Sequence, residues 1–428
     1  MKQENNTQKI SYILNNIQII DFKENTLKTT DILIESNQIK IIKDRISVRK
    51  SKNVKFIDCK NKYLLPKITD LNLTPKDGKL SENSIKTLIS KSIKNGVENL
   101  AIMPKISPQI DSEANLTLLT SLVKDASNKI NFLPVISATN EKNELTNIST
   151  LLNFYKKPSR PAIYLQSDIN RNTLRRSFEY AKMQNSVIFC EIHDDELNDN
   201  GVLHNSENAF KLGLPTRHQL GEIIQVAKII EMARFYDVTV VFQGVTEQRA
   251  IEEILKAKKE KVSVSIELSI HHLIFNDEIY SDFNSYKKIE PPFQTEKTRE
   301  YLIKTLKSGG IDFLTSLHKE VSEFLKGGSF QEAEAGIDSL DSLLSVYYTY
   351  LVKNEILDFV ELFKYILINQ NNLMNIETQK IDIEVGLNID NFNFFDAEIE
   401  TKIEEENSLY FDQKLFGEII NFNNLKEI

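Results

Sequence analysis

Cysteine is nearly absent from this 428-residue chain, which carries only Cys59 and Cys190. Two thiols make neither a disulfide framework nor a zinc-binding spacing, so a reducing cytoplasm is the expected compartment. No apolar run approaches the roughly 20 residues that cross a bilayer. The opening MKQENNTQKI has no apolar core of a secretory signal. No membrane role is expected. Basic charge is short as well: 53 Lys and Arg stand against 61 Asp and Glu, for a net charge of −8. Nucleic-acid binding needs a surplus of cations on one face, so it is not expected either. The run from Lys256 to Lys261 is basic but brief, and solvation of a helix end explains it. A glycine-rich phosphate loop, a Ser-His-Asp spacing and a zinc Cys cluster are all missing.

What is present is ordinary globular material. Hydrophobic residues make up 41% and charged residues 27%, enough for a sizeable core. The length suits one large barrel-type domain with a smaller companion, or two or three ordinary domains. In the first sixty residues Tyr12 to Leu14, Ile17 to Ile20, Asp31 to Glu35, Ile39 to Ile42 and Val54 to Asp58 are short β-branched runs, which predict strands of a small sheet.

After Pro66 the rhythm changes to alternating strands and helices. Candidate strands are Ile68 to Leu73, Asn99 to Met103, Phe132 to Ile136, Ala162 to Gln166, Val187 to Ile192, Val238 to Gln243, Val262 to Leu268 and Ile311 to Ser316. Helical stretches between them include Ser84 to Lys94, Thr173 to Lys182, Gln219 to Phe235, Glu247 to Lys258 and Glu296 to Lys307. In the third, Leu220, Ile223, Ile224, Ala227 and Ile230 share a stripe that predicts a core-facing side. Thr246 is placed to cap the helix that follows it. Eight such units predict an α/β protein of the (β/α)8 barrel type, although doubly wound sheets also alternate. Two further helices, about Leu340 to Tyr350 and Ile356 to Ile368, precede β-like runs at Ile381 to Val385, Phe392 to Phe395 and Ile399 to Ile403. The expected division is a barrel over residues 66–372, with residues 1–65 and 373–428 forming a composite β-domain from both chain ends.

Several segments, in order, resemble the dihydroorotase branch of the amidohydrolase superfamily. They are Asn16 to Asp21, Asp31 to Ile39, Ile57-Asp58, Leu64-Leu65-Pro66, Met103-Pro104, Leu212-Gly-Leu-Pro215 with Glu222, Glu267-Leu-Ser-Ile-His-His-Leu273, Glu290-Pro-Pro292, Gly310-Ile-Asp312, and Phe330-Gln-Glu-Ala333 with Gly336. Each is weak alone; their order and spacing over almost the whole chain carry the resemblance. It implies a metal-dependent barrel in which imidazoles and carboxylates at strand ends hold metal ions, and an Asp on the last strand shuttles a proton.

Those positions are altered here. The family's Asp-x-His-x-His, followed by a substrate-binding Arg, reads Asp70-Leu71-Asn72-Leu73-Thr74-Pro75-Lys76, so Asn72 and Thr74 replace both histidines and Lys76 replaces the Arg. Glu191 stands at the fifth-strand ligand position, Gln243 at the sixth, and Leu317 where the catalytic Asp belongs. The substrate-contacting Asn positions read Lys105 and Glu290. Asp168 lies near the fourth-strand position of the bridging carboxylate or modified lysine. Asp168 and Glu191 together are candidates for a hard cation, the alternative being surface carboxylates. A leucine cannot move a proton, so this pattern points away from a working metalloenzyme.

Four histidines remain near the former site. His271 and His272 are adjacent on what reads as a strand, so they face opposite ways and are expected to be structural. His193 and His318 are expected in exposed loops without a neighbouring acid. Lys76 is the obvious anchor for a ligand carboxylate, and Glu290 is expected to repel one. Cys190 reads as a small buried apolar residue. The resemblance then implies a non-catalytic dihydroorotase-like protein of pyrimidine biosynthesis, an oligomer of like or unlike chains, with aspartate carbamoyltransferase catalytic subunits as its partner. The competing expectation is an active cyclic-amide hydrolase with a rebuilt site, and only that reading calls for zinc.

Overall fold

In the computed structural model residues 10–47, 53–152, 159–198, 200–379 and 386–422 are described. The β-branched runs at the chain start do form a sheet, and they share it with the chain end. Its strand order is Lys414–Ile420, Phe392–Lys402, Lys62–Pro66, Ser11–Asp21, Thr26–Glu35 and Gln38–Lys43, with Val54–Asp58 pairing Ser11–Asp21 as well. Alternation sorts the two faces. Leu14, Ile17, Ile19, Ile32, Ile34, Leu64, Phe392 and Phe394 make a core of their own, while Ile20, Leu65 and Phe395 turn toward the main core. The runs at 392–395 and 399–403 prove to be one strand bent by a register shift between Asp396 and Glu400. The strand Lys414–Ile420 escaped prediction, and the run Ile381 to Val385 lies outside the described residues.

The second sheet is the (β/α)8 barrel. Its strands are Ile68–Thr74, Val97–Ile102, Asn131–Ser137, Ala162–Gln166, Val187–Glu191, Thr239–Gln243, Val264–Ser269 and an eighth in two pieces, Phe313–Thr315 and His318–Lys319. All pair in parallel. The first piece of the eighth strand pairs the seventh, and the second pairs the first strand at Leu73 and Thr74, which closes the ring. Between the pieces Leu317 has a φ of 49°, a left-handed conformation uncommon for a non-glycine residue. The barrel interior is filled by side chains such as Leu71, Met103, Val135, Tyr164, Phe189, Val241 and Phe313. Its N-terminal end is plugged by the helix Asn369–Met374: Gln370 accepts from the Leu71 amide and donates to the Leu314 carbonyl.

Two local expectations are corrected. The buried side of the helix Gln219–Tyr236 is Gly221, Gln225, Val226, Ile229, Ile230 and Ala233. Leu220 and Ile224 are 43% and 50% exposed, because this helix is apolar around much of its circumference and a stripe drawn from hydrophobicity alone picks the wrong side. Thr246 does not cap the next helix, Gln248–Lys259. Glu222 reaches across from its neighbour and accepts the amides of Thr246 and Glu247 at 2.8 and 2.6 Å. Among the described residues no helix is long and apolar enough to cross a membrane.

Candidate functional site

The C-terminal ends of the barrel strands surround a cavity of about 810 Å³. Parallel register sets its floor. Glu191, Gln243 and Glu267 are successive Cα partners on the fifth, sixth and seventh strands, so their side chains stand in a row. Glu267 is the hub. It accepts Asn72 Nδ2 at 2.6 Å, Gln243 Nε2 at 2.8 Å and Thr315 Oγ1 at 2.7 Å. Burial pushes the Glu267 carboxyl up, and these three donors pull it back. Below it Asp70, wholly buried, is pushed up to about 7 by burial while accepting the amides of Asn72 and Ser316.

Glu191 has different company. The buried Tyr164 hydroxyl donates to it, and Lys105 Nζ lies 3.4 Å away. Burial opposes its charge, but Lys105, Tyr164 and His193 together hold it below the usual carboxylate range. Tyr164 keeps its proton, held there by burial and by the neighbouring carboxylate.

Asn72, Thr74, Lys105, Glu191, Gln243, Glu290, Leu317, His193 and His318 all line this cavity. Lys76 does not. Its ammonium is spent on Glu320 at 2.6 Å, so it is no free anchor for a ligand carboxylate. Asp168 also lies outside the cavity lining, accepting the Asp195 amide at 2.7 Å. Glu290 is held by both terminal nitrogens of Arg217, so it carries no unbalanced charge with which to repel an anion.

The histidines depart from expectation in detail. His271 and His272 begin a helical turn, His271–Ile274, and not a strand. They diverge nonetheless: His271 bonds Tyr410 Oη and the Ser316 carbonyl, while His272 bonds the Pro291 carbonyl. His193 does have an acid, with Asp195 at 2.6 Å. His318 is 2% exposed and lies 3.5 Å from Asp338, so it is neither a loop residue nor without an acid.

The strand-end residues do not fit a zinc centre. Zinc wants imidazole, thiolate or carboxylate donors converging as a tetrahedron. Here Asn72 and Gln243 give their amide nitrogens to Glu267, Leu317 offers no donor, and Glu191 is shared by Tyr164 and Lys105. One other grouping among the described residues has metal-like spacing: His318, Glu320 and Asp338, with donor atoms within 4.8 Å of one another. A cation is already there. Lys91 Nζ contacts Asp338, Glu320 at 3.0 Å and Asp341 at 3.1 Å.

Glu267, Tyr164 and Arg217 were missed as site residues. Tyr164 had a signal: it alternates with Ala162 on an inward-facing strand, where a lone polar tip needs a partner. Arg217 had none, since a two-residue pairing of Leu203–His204 with Thr216–Arg217 brings it to the mouth.

No protein-family model matches the chain. Among curated proteins, it is 25% identical to the dihydroorotase of Pediococcus pentosaceus over 418 residues, 95% of this chain and 96% of that protein. The dihydroorotase of Acetivibrio thermocellus is 27% identical over 379 residues, 87% of this chain and 86% of the relative. A probable dihydroorotase-like protein of Helicobacter pylori is 24% identical over 398 residues, 93% of each chain. Among solved structures, L-hydantoinase (dihydropyrimidinase) from Arthrobacter aurescens superposes with a TM-score of 0.78 at 15% identity, covering 96% of this chain and 93% of the other. Dihydropyrimidinase from Brevibacillus agri gives 0.75 at 15% identity over the same shares. The chain is thus similar in sequence to dihydroorotases along nearly its whole length, and its fold is that of the solved hydantoinases and dihydropyrimidinases.

Proposed function

We propose that this chain is a non-catalytic dihydroorotase-like protein of pyrimidine biosynthesis, acting in the cytoplasm by assembling with and supporting aspartate carbamoyltransferase. One observation carries the loss of chemistry. The replaced positions are knitted into a network of their own around Glu267, in which Asn72 and Gln243 direct their amide nitrogens inward. Buried polar groups are costly unless paired, by about 1–3 kcal/mol each, and this network pairs them without a metal. Leu317, where the proton shuttle would stand, packs with apolar neighbours at the break in the eighth strand. An assembly role is supported by the outer helix Gln219–Tyr236, which leaves Leu220, Ile224 and Phe235 exposed, the last at 81%.

The test has two arms. Purified protein should show no dihydroorotase turnover in the presence of added zinc, and it should co-purify with catalytic subunits of aspartate carbamoyltransferase. Turnover with stoichiometric metal sinks the first part; a chain that stays alone at micromolar concentrations sinks the second. The competing reading, a cyclic-amide hydrolase with a rebuilt site, has the His193–Asp195 pair beside Glu191 in its favour, and the turnover arm decides it.

A further inference from the structure

The polarity of the cavity floor follows from a single carboxylate. Because Glu267 takes a hydrogen bond from Asn72 and another from Gln243, each amide is turned with its nitrogen inward and its oxygen away. Asn72 Oδ1 and Gln243 Oε1 are left as acceptors. Neither has a hydrogen-bond partner among the described residues, and neither is sealed off, although the two residues are only 8% and 7% exposed. Glu191 stands beside Gln243 in the register and adds a third acceptor. The Tyr164 hydroxyl is spent on Glu191.

Charge points the same way. Six carboxylates (Asp77, Glu141, Glu191, Glu290, Glu332 and Glu334) line the cavity against four cations (Lys105, Arg217, Lys288 and Lys319). Three of the cations are occupied: Arg217 by Glu290, Lys319 by Glu334 at 2.6 Å, and Lys288 by the carbonyls of Gln331 and Ala333. Only Lys105 is loosely held, 56% exposed and 3.4 Å from Glu191. Glu290 and Glu334 are balanced in those same pairs, and six carboxylates against four cations leave an excess of two negative charges, which favours a cation.

We propose that this cavity binds a small organic cation, a primary ammonium or a guanidinium, with its N–H groups on Asn72 Oδ1, Gln243 Oε1 and the Glu191 carboxylate. The ligand's charged head displaces Lys105, which swings into solvent. A divalent metal is less well served, since three donors already satisfy Glu267 and only one carboxylate and two neutral carbonyls remain. A carboxylate ligand would meet three acceptors at the floor, Asn72 Oδ1, Gln243 Oε1 and Glu191, with Lys105 the loosely held cation beside them. The space of about 810 Å³ is ample for such a molecule. This inference rests on the reading of the barrel mouth as a site without metal ligands, and its test involves neither turnover nor a partner enzyme.

Titration calorimetry on the full chain, in amine-free buffer at low salt, would compare agmatine and n-butylammonium with n-butanol, succinate and calcium chloride. The expected result is a Kd for at least one of the two cations about tenfold or more below those of the other three. Glu191→Gln is expected to weaken that binding about tenfold. Lys105→Ala, at an exposed side chain that leaves folding intact, is expected to tighten it severalfold by removing the competing ammonium. Absence of cation binding at millimolar concentration overturns the proposal. So does equal binding of succinate or calcium, or cation binding indifferent to Lys105→Ala.

Discussion

Replacing Lys91 by Met keeps the apolar stem of the side chain and removes one charge from the seam where the barrel closes. The Lys91 ammonium, 19% exposed, serves Glu320, Asp338 and Asp341. Burial opposes its charge, yet those three acids raise it above the usual lysine range. Removing one partner of a buried pair costs about 3–5 kcal/mol. The Asp341 contact adds little, because that carboxylate is 52% exposed and such pairs are worth under about 1 kcal/mol. Glu320 keeps Lys76, whereas Asp338 loses its only lysine. The expected loss is therefore about 3 kcal/mol, the low end of the range. At roughly 2.1 cal/mol/K of unfolding entropy per residue, cooperative melting of 428 residues turns this into a Tm drop of about 3 °C. The deficit has a signed pH dependence. Asp338, already pushed up by burial with Lys91 present, rises further without it. A carboxyl whose folded pKa exceeds its unfolded value adds stability at low pH that is lost as pH rises through the folded value. The difference between wild type and Lys91→Met should thus be largest at pH 7–8 and shrink toward pH 5. Melting curves across that range test it. A deficit under about 1 kcal/mol, or one that does not shrink on acidification, refutes the reasoning.

Burial pushes His271 and His318 down to about 3, and His204 and His272 down to about 4. Unfolded histidine titrates near 6.5, so the unfolded chain takes up protons that the native state refuses, and stability is lost as pH falls below about 6.5. Each contributes about 2 kcal/mol of loss between pH 7 and 5, partly offset by Asp70 and Glu222, pushed up by burial to about 7 and about 8, which add stability on protonation; a Tm that rises over that interval contradicts it. Gly417→Ala would set a Cβ 2.0 Å from Phe395 Cζ at a φ of +77°. A loss of about 2–4 kcal/mol is expected from clash and strain together, checked by urea unfolding. Glu267→Leu leaves the Asn72, Gln243 and Thr315 donors unpaired, for an expected loss of about 3 kcal/mol or more. Glu267→Gln, which still accepts with one oxygen, should lose less than half of that in thermal melts.

Much of the fold was legible because barrel strands are buried on both faces and read as short apolar runs. Ala162–Gln166 and Glu296–Lys307 fall on their predicted bounds. The mouth positions Asn72, Lys105, Glu191, Gln243 and Leu317 were legible too, since each sits at or just past a strand end. What failed was long-range. Lys76 belongs to Glu320, 244 positions away, and Arg217 to Glu290, 73 positions away. Neither pairing leaves a local pattern. The helix Gln219–Tyr236 misled for a different reason: with apolar residues on nearly every side, its sequence does not say which side the sheet will take.

The shared sheet of the two chain ends imposes a timetable on synthesis. Asn61, which leads into the strand Lys62–Pro66, donates to Glu398, 337 positions later. At about 5–20 residues per second the ribosome needs roughly 20–70 s to supply that partner. Through that interval the Lys62–Pro66 strand has only Ser11–Asp21 beside it, and its other edge stands open. An open strand edge is a template for foreign strands. A nascent chain therefore carries that uncovered edge until the strand Phe392–Lys402 has been made, and a chain truncated before residue 392 keeps it.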